Sequence, residues 1–598
     1  MAVLGVDVGG TFTDAVLIAD GELRTAKVRT AEHQEESVLA AAAAIGGEQL
    51  ERFTHGTTVA TNALLERKGA RTAFVSTAGF EHLLHLRRQD RAQLYRLCEH
   101  HPEPLVPIED CFGVRERMGP DGVLEQLDLG SLPELDAEAV AICLLFSFRD
   151  PSHERALAAE ISRRLPSAHV VASHEVSPEF REYERASTTA TDAYLGPRLG
   201  SYLRALGDRC AEAGLPQPLV MRSSGGISSL EEAAAHASWA LLSGPAGGVV
   251  GAARIAERAG FSDAIAFDMG GTSTDVCLIS SGAAERSSER TVAGFPIRLP
   301  SVDVHTVGAG GGSIAWVDAG GALRVGPASA GAEPGPACYG LGGIRPTVTD
   351  ANLLLGRIPG RLAGGLELDR AAAERALAGL DPTDVVGVVH AEMLRALRVV
   401  SVERGRDPRG LALVAFGGAG PLHACDLADG LGMTTVLVPE AAGVLSALGL
   451  AVGDERRDRV RSEVRPLADV GDLPAEGEAD LRYRGQSFEL TVPLGAGLAD
   501  RFHELHAERY GYEDPARPLE LVAVRSAEVR AGPPLTLPAR PRETAAGPAT
   551  VALDGATCWI PPGWVGVRDG GIWRLTKVTG RAGKAGTISV GTDQSVPW

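Results

Sequence analysis

The stretch Asp7-Val8-Gly9-Gly10-Thr11-Phe12-Thr13-Asp14 returns as Asp268-Met269-Gly270-Gly271-Thr272-Ser273-Thr274-Asp275, an offset of 261 residues (268 − 7) with six of eight positions identical. Apolar runs flank both copies, at 3–6 and 15–18 around the first and at 264–267 and 276–279 around the second. Each copy therefore reads as strand, tight glycine turn, strand. Glycines at such a tip allow φ > 0 and let a ligand approach the backbone closely. Successive free N–H groups there form an anion-binding concavity. The threonine hydroxyls add donors, and the aspartates can hold a cation or a water. Two facing tips would clamp a polyphosphate and its Mg²⁺. One glycine-rich turn is an ordinary feature; two near-copies half a chain apart report a repeated architecture.

A third glycine segment follows an apolar run at 411–416: Gly417-Gly418-Ala419-Gly420-Pro421-Leu422-His423, with a helix expected over 424–431. A glycine turn entering a helix N-terminus suits a phosphate or ribose contact. The three segments together resemble the actin-like ATPase superfamily. That resemblance implies an α/β fold of two ribonuclease H-like lobes with a nucleotide cleft between them. Each lobe would supply one phosphate loop, and the third segment would hold the adenosine.

At 598 residues the chain is too long for one core, and two to four domains are expected. The formal net charge of −19 (58 − 77) argues against nonspecific nucleic-acid binding, which needs a basic surface. The N-terminus has no basic region, and Asp7 interrupts its apolar stretch, so no signal peptide is expected. No uninterrupted apolar run reaches the length of a membrane span, and a cytoplasmic enzyme is the expectation. Eight scattered cysteines without a C-x-x-C pair argue against a zinc ribbon or a disulfide framework. Cys338 sits in a glycine-proline loop that can leave it exposed, but a structural role is favoured for it.

Alternating strand-like and helix-like segments predict an N-terminal α/β lobe over 1–185 and a second over 186–455. In the first, helices are expected at 37–45 and 151–165, a short strand at 72–76, and a long buried strand over 139–148. A long helix over 187–206 would bridge the lobes, with Gly196-Pro197 able to kink it. In the second, a strand is expected at 219–222, residues 243–248 precede a small-residue helix, and 307–313 form a glycine loop. Residues 456–598 read as a small, mixed, β-rich C-terminal region. It would hold strands at 482–490 and 519–529, a helix at 501–510, a Pro-rich extended segment at 532–548 and a small β unit over 559–573. The last dozen residues are polar and read as mobile.

Further segments sharpen the resemblance: Thr54-His55-Gly56-Thr57-Thr58-Val59-Ala60-Thr61-Asn62, Pro178-Glu179-Phe180-Arg181-Glu182-Tyr183-Glu184-Arg185, Val302-Asp303-Val304-His305-Thr306, and Pro346-Thr347-Val348-Thr349-Asp350-Ala351-Asn352. Together with the glycine motifs they are similar to the hydantoinase A / 5-oxoprolinase family over roughly residues 1–490. The resemblance implies ATP-dependent hydrolysis of a cyclic amide such as 5-oxoproline, a hydantoin or a lactam. It also implies a separate B-type subunit, hence a hetero-oligomer. A branch of the family instead serves as subunits of acetone and acetophenone carboxylases. A switch-like ATPase without small-molecule turnover is a third reading. The chain departs from the family in a shortened C-terminal region and in Glu333, where the family usually has Asp.

These readings nominate site residues. Gly9, Gly10, Thr11 and Thr13 would donate to one end of the phosphates, and Gly270, Gly271, Thr272 and Ser273 to the other. Gly417, Gly418 and Gly420 would hold the nucleoside, and Asp7 and Asp268 would orient Mg²⁺ through water. His55, Thr57 and Thr58 would meet the acceptor substrate, ahead of an expected helix start, with His55 as acid or base. Asp303 and His305, two apart on an expected strand, are candidate ligands for another divalent metal. The charged run 179–185 and the arginines Arg87, Arg88 and Arg91 read as solvated faces.

Overall fold

In the computed structural model, which describes residues 2–46, 49–96, 98–362, 365–538 and 540–578, the sequence repeat is a repeated sheet. The terminal segment read as mobile lies outside these residues. In the first lobe β1 (Val3–Val8) and β2 (Phe12–Ala19) form the hairpin that carries the first tip, and β3 (Glu22–Arg29) pairs antiparallel with β2. On the other side β1 runs parallel to β4 (Arg52–Gly56), and β4 parallel to β5 (Leu219–Met221). The second lobe repeats this order. β6 (Ala264–Met269) and β7 (Thr274–Ser280) form the hairpin, and β8 (His305–Val307) pairs with β7. β9 (Ala412–Phe416) and β10 (Thr435–Pro439) extend it in parallel. The second lobe's parallel strands β6, β9 and β10 are largely apolar runs because both of their faces are covered, whereas β4 carries Arg52, Thr54 and His55.

Helix α1 (Glu182–Glu212) starts five residues before its expected beginning and runs unbroken past Pro197. Its first turns bury hydroxyls by returning them to the helix. Thr188 donates to the Glu184 carbonyl at 2.6 Å, Thr189 to Arg185 at 2.7 Å and Thr191 to Ser187 at 2.8 Å. This helix backs an inserted sheet of four parallel strands, ordered His169–Ala172, Ala139–Cys143, Thr72–Thr77, Cys111–Val114. The long strand expected over 139–148 ends at Cys143, because the next N–H, that of Leu144, is taken by Glu154 Oε1 at 2.8 Å.

Between the lobes α2 (Ser243–Arg258) crosses α4 (Leu445–Val452), which lies against β1; α3 (Gly420–Leu431) follows β9. The glycines at 243–248 do not precede α2 but form its first turns, since the crossing leaves no room for side chains. A Cβ on Gly449 would stand 1.9 Å from the Gly247 carbonyl oxygen.

The C-terminal strands divide between the lobes. Glu455–Pro466, Leu519–Arg530, Glu478–Tyr483 and Leu490–Pro493 extend the first sheet to ten strands. Glu543–Ala546, Trp564–Asp569 and Ile572–Lys577 extend the second, the last pairing with β10. The strand expected at 482–490 is thus the end of one strand, a turn held by Tyr483 and Gln486, and the start of another. The β unit expected over 559–573 is split: Ala556–Ile560 pairs with Ala549–Leu553 in a separate two-stranded sheet, and the remainder joins the second lobe's sheet.

Cys338 is fully buried, in keeping with the structural role favoured for it, and its N–H donates to Asp350 Oδ1 at 2.8 Å. Another expectation is corrected. The run 179–185 is in large part an internal ion network. Glu179 takes Arg298 Nε at 2.5 Å and Arg525 at 2.8 Å, and buried Arg185 donates to the Glu179 and Leu144 carbonyls. Arg181 reaches Glu489 at 2.5 Å, so the network ties the first lobe to the C-terminal strands. Among the described residues, no helix is long and apolar enough to cross a membrane.

Candidate active site

The two tips are built alike. Gly9 N–H donates to the Phe12 carbonyl at 2.9 Å, and Gly270 N–H to the Ser273 carbonyl at 3.0 Å. Contrary to expectation, none of Gly9, Gly10, Gly270 and Gly271 adopts a positive φ. A Cβ on Gly10 or Gly271 would meet no heavy atom within 4 Å. Neither backbone conformation nor packing within the chain therefore calls for glycine at these two positions. What glycine provides there is an open approach to the backbone. Thr11 and Thr272 are exposed and Ser273 is half-buried. Thr13 is buried instead, and its hydroxyl bonds that of Thr30 at 3.1 Å. Thr30 in turn donates to the Gly9 carbonyl at 2.9 Å, so Thr13 braces the tip from behind. The glycine loop at 307–313 braces the other tip: Gly311 and Gly312 N–H donate to the Gly270 and Gly271 carbonyls at 3.0 and 2.7 Å.

Below the tips the two lobes place matching carboxylate pairs, Asp7 opposite Asp14 and Asp268 opposite Asp275. Burial, then Asp14, pushes the Asp7 carboxyl up to about 7. Burial, then Asp275, Asp7 and Asp14, pushes Asp268 up to about 8. The two pairs thus repel each other across the lobes. Burial also raises Asp14 and Asp275. Lys27 Nζ stands 2.6 Å from Asp14 Oδ1, and Thr306 donates to Asp275 Oδ1 at 2.5 Å. Lys27 and Thr306 hold equivalent places in the two lobes, directly across from Asp14 and Asp275. The sequence reading missed both, because only the strand register brings them to the carboxylates.

Glycines close around these groups. A Cβ on Gly56 would lie 2.6 Å from Asp7 Oδ1, and one on Gly417, which has φ +79, would lie 2.2 Å from Asp268 Oδ1. Asp7 Oδ1 is buried without a hydrogen-bond partner. An orphaned anionic oxygen among mutually repelling carboxylates fits a divalent cation. Among the described residues no three His, Cys, Asp or Glu side chains converge on one point, so this arrangement suits a cation that keeps its water shell. The third glycine segment is tied to the second lobe. Gly417 N–H donates to the Ala442 carbonyl and Ala419 N–H to the Met269 carbonyl, both at 2.9 Å. Gly418 is nearly unhindered, and Gly420 opens α3, four residues before the expected helix start.

The expected substrate loop divides. His55 is fully buried in β4, with Nδ1 3.2 Å from the Val6 carbonyl and Nε2 2.9 Å from the Tyr202 hydroxyl. Burial pushes it down to about 4. With both nitrogens committed and the ring enclosed, it is a structural residue rather than an acid or base. His55→Asn is expected to lower stability by about 1–3 kcal/mol and to leave the pH profile of turnover between 6 and 8 unchanged, as a denaturation curve and a pH series would read. Thr57 N–H donates to Ser243 Oγ at 3.1 Å, and that hydroxyl donates back to the Thr57 carbonyl at 2.9 Å. This seats the loop on the first turn of α2, whose Gly244 abuts Asp7. Thr58 is half-buried and immediately precedes the helix Val59–Leu65, as expected.

Among the described residues no third ligating side chain joins Asp303 and His305. β8 begins at His305, so the two do not share a strand face, and Asp303 is ion-paired with Arg404 at 2.6 Å.

Two lobes of one sheet order, each presenting the same glycine tip and a buried carboxylate pair to the other, define an actin-like ATPase fold. The chain belongs to the hydantoinase/oxoprolinase family: the family described as hydantoinase/oxoprolinase matches residues 185–459, and its N-terminal region matches 3–165. An uncharacterized protein of Methanocaldococcus jannaschii is 36% identical, over 87% of this chain and 86% of its own length. The caprolactamase subunit alpha of Pseudomonas jessenii is 34% identical, over 91% and 90%. The crystal structure of the ATP-dependent caprolactamase from that organism superposes with a TM-score of 0.83 at 31% identity, covering 96% of this chain and 99% of the other.

Proposed function

We propose that this chain is the ATP-using subunit of an enzyme that hydrolyses a cyclic amide. The observation that carries the reading is the pair of glycine tips over facing carboxylates, in a chain that spans nine-tenths of a caprolactamase subunit alpha. An amide carbonyl is a poor electrophile because nitrogen resonance stabilises it. Moving the γ-phosphoryl group of ATP onto the amide oxygen turns that oxygen into a leaving group, with ADP released. Such transfer depends on positioning and charge neutralisation.

The open backbone at Gly10 and Gly271, with Thr11, Thr272 and Ser273, receives the phosphates, while Gly9 and Gly270 close the two turns. Gly417, Gly418 and Gly420 flank the nucleoside. Asp7 and Asp268 would hold Mg²⁺, which when bound would supply positive charge against the phosphates. Thr57 and Thr58 border the acceptor side. A B-type subunit completes the hydrolysis in a hetero-oligomer. The caprolactamase relative is itself named as one subunit.

The test is ATP hydrolysis by the purified chain, alone and with its B-type partner, offered 5-oxoproline, hydantoins, lactams, and small ketones with bicarbonate. Stimulation by a cyclic amide is expected. Stimulation only by ketone with bicarbonate would overturn the amidohydrolase reading in favour of a carboxylase.

A further inference from the structure

The register of the two sheets sets three residues side by side in each lobe: Asp7, Asp14 and Lys27 in the first, Asp268, Asp275 and Thr306 in the second. Residues directly across a sheet from one another share a face. The two rows are alike except at their third members, where one lobe has an ammonium and the other a neutral hydroxyl. We propose that Lys27 contacts the terminal phosphoryl group of the bound nucleoside triphosphate and, in doing so, exchanges its hold on the opposite lobe for a hold on the ligand. The proposal rests on the nucleotide reading of the cleft.

Lys27 Nζ makes one short hydrogen bond within its own lobe, to Asp14 at 2.6 Å, and one long one across the cleft, to the Gly443 carbonyl at 3.3 Å, and it stands 5.3 Å from the centroid of the Phe12 ring. An ammonium has three donors, so the third faces at most an aromatic ring, a weaker partner than a phosphate oxygen. Its side chain is 35% exposed, so the amine is accessible from the cleft. It is the cation that offsets Asp7, Asp14 and Asp268 together, leaving those three carboxylates under-neutralised.

The direction of the ligand follows from the glycine segments. Gly417 and Ala419 are bonded into the second lobe, so the nucleoside end lies there and the distal phosphate points toward the first lobe's row. Gly443 adjoins Ala442, whose carbonyl holds Gly417 N–H at 2.9 Å. The long contact of Lys27 is therefore one residue from the support of the nucleoside segment. A terminal phosphate that draws Lys27 away from Gly443 would be felt there, whereas a diphosphate, lacking that group, would leave the contact in place.

Calorimetric titration of the full chain with Mg·ATP and with Mg·ADP tests this, using Lys27→Met and Lys27→Arg. For Lys27→Met the Kd for Mg·ATP is expected to rise about ten- to hundredfold, with that for Mg·ADP within twofold, which also shows that the variant is folded. Lys27→Arg is expected to restore most of the preference for ATP. Equal affinity of wild type and Lys27→Met for Mg·ATP, or equal weakening toward both nucleotides, would overturn the assignment of Lys27 while the cleft reading stood. Failure of the wild-type chain to bind either nucleotide would overturn both.

Discussion

Asp268→Asn is expected to abolish ATP turnover and, in the same molecule, to stabilise the nucleotide-free chain. The two effects have one cause. Asp268 lies beneath the second tip, raised to about 8 by burial and by Asp275, Asp7 and Asp14. In the unfolded chain an aspartate titrates near 4. Between these values the folded chain keeps a proton there that the unfolded chain has lost. Stability from this group is therefore complete below about pH 4 and is lost as pH rises through 8. The slope approaches about 1.4 kcal/mol per pH unit. Asparagine has no proton to lose, so the variant's advantage should be absent near pH 4 and largest above pH 8. Urea denaturation at pH 5, 7 and 9 reads this directly. Added Mg²⁺ should narrow the gap by stabilising wild type more than the variant. Turnover should fall by about a hundredfold or more, as expected when a carboxylate that holds the phosphate-neutralising Mg²⁺ is lost. Turnover within tenfold of wild type, or an advantage that does not grow with pH, would contradict the role given to this carboxylate.

The parts of the site legible in the sequence are those made from consecutive residues. A glycine tip is eight positions long, and its copy 261 residues on carries the same local chemistry, so the two lobes and their facing tips could be read directly. What escaped reading depends on partners distant in the chain. Lys27 and Thr306 are ordinary strand residues until the register puts them beside Asp14 and Asp275. His55 looked reactive because a strand sequence does not say which enclosure a side chain meets; here it meets the Val6 carbonyl and Tyr202. The run 179–185 looked solvated because its counter-charges, Arg298, Glu489 and Arg525, come from elsewhere in the chain. The C-terminal strands looked like one appended unit because nothing local separates those that join the first sheet from those that join the second.

The interface between the lobes yields the largest expected loss of stability from the smallest substitution. At the crossing of α2 and α4, a methyl group at residue 449 would stand 1.9 Å from the Gly247 carbonyl oxygen, 2.8 Å from its carbon and 2.7 Å from Gly251 nitrogen. All three are backbone atoms, so no rotamer change can make room, and the helices must part. On the far side of α4 a Cβ at Gly5 would lie 2.1 Å from the Ala447 carbonyl oxygen, so α4 cannot retreat toward β1. Overpacking a core costs about 1–3 kcal/mol when side chains can adjust. With backbone on both sides, Gly449→Ala is expected to cost about 3 kcal/mol or more. The loss should extend to activity, because α2 carries Ser243, which holds the Thr57 loop, and Gly244, which abuts Asp7. Displacing α2 removes the backbone packed against Asp7 and misplaces the Thr57 loop, and transfer chemistry is sensitive to small misplacements. Gly387→Ala is the matched comparison. That glycine is exposed within the helix Pro382–Val400 and meets nothing within 4 Å, so alanine there should stabilise by about 0.5–1 kcal/mol and leave turnover untouched. If both alanine variants denature at the wild-type urea midpoint, the helix crossing is looser than the close backbone approach at Gly449 requires.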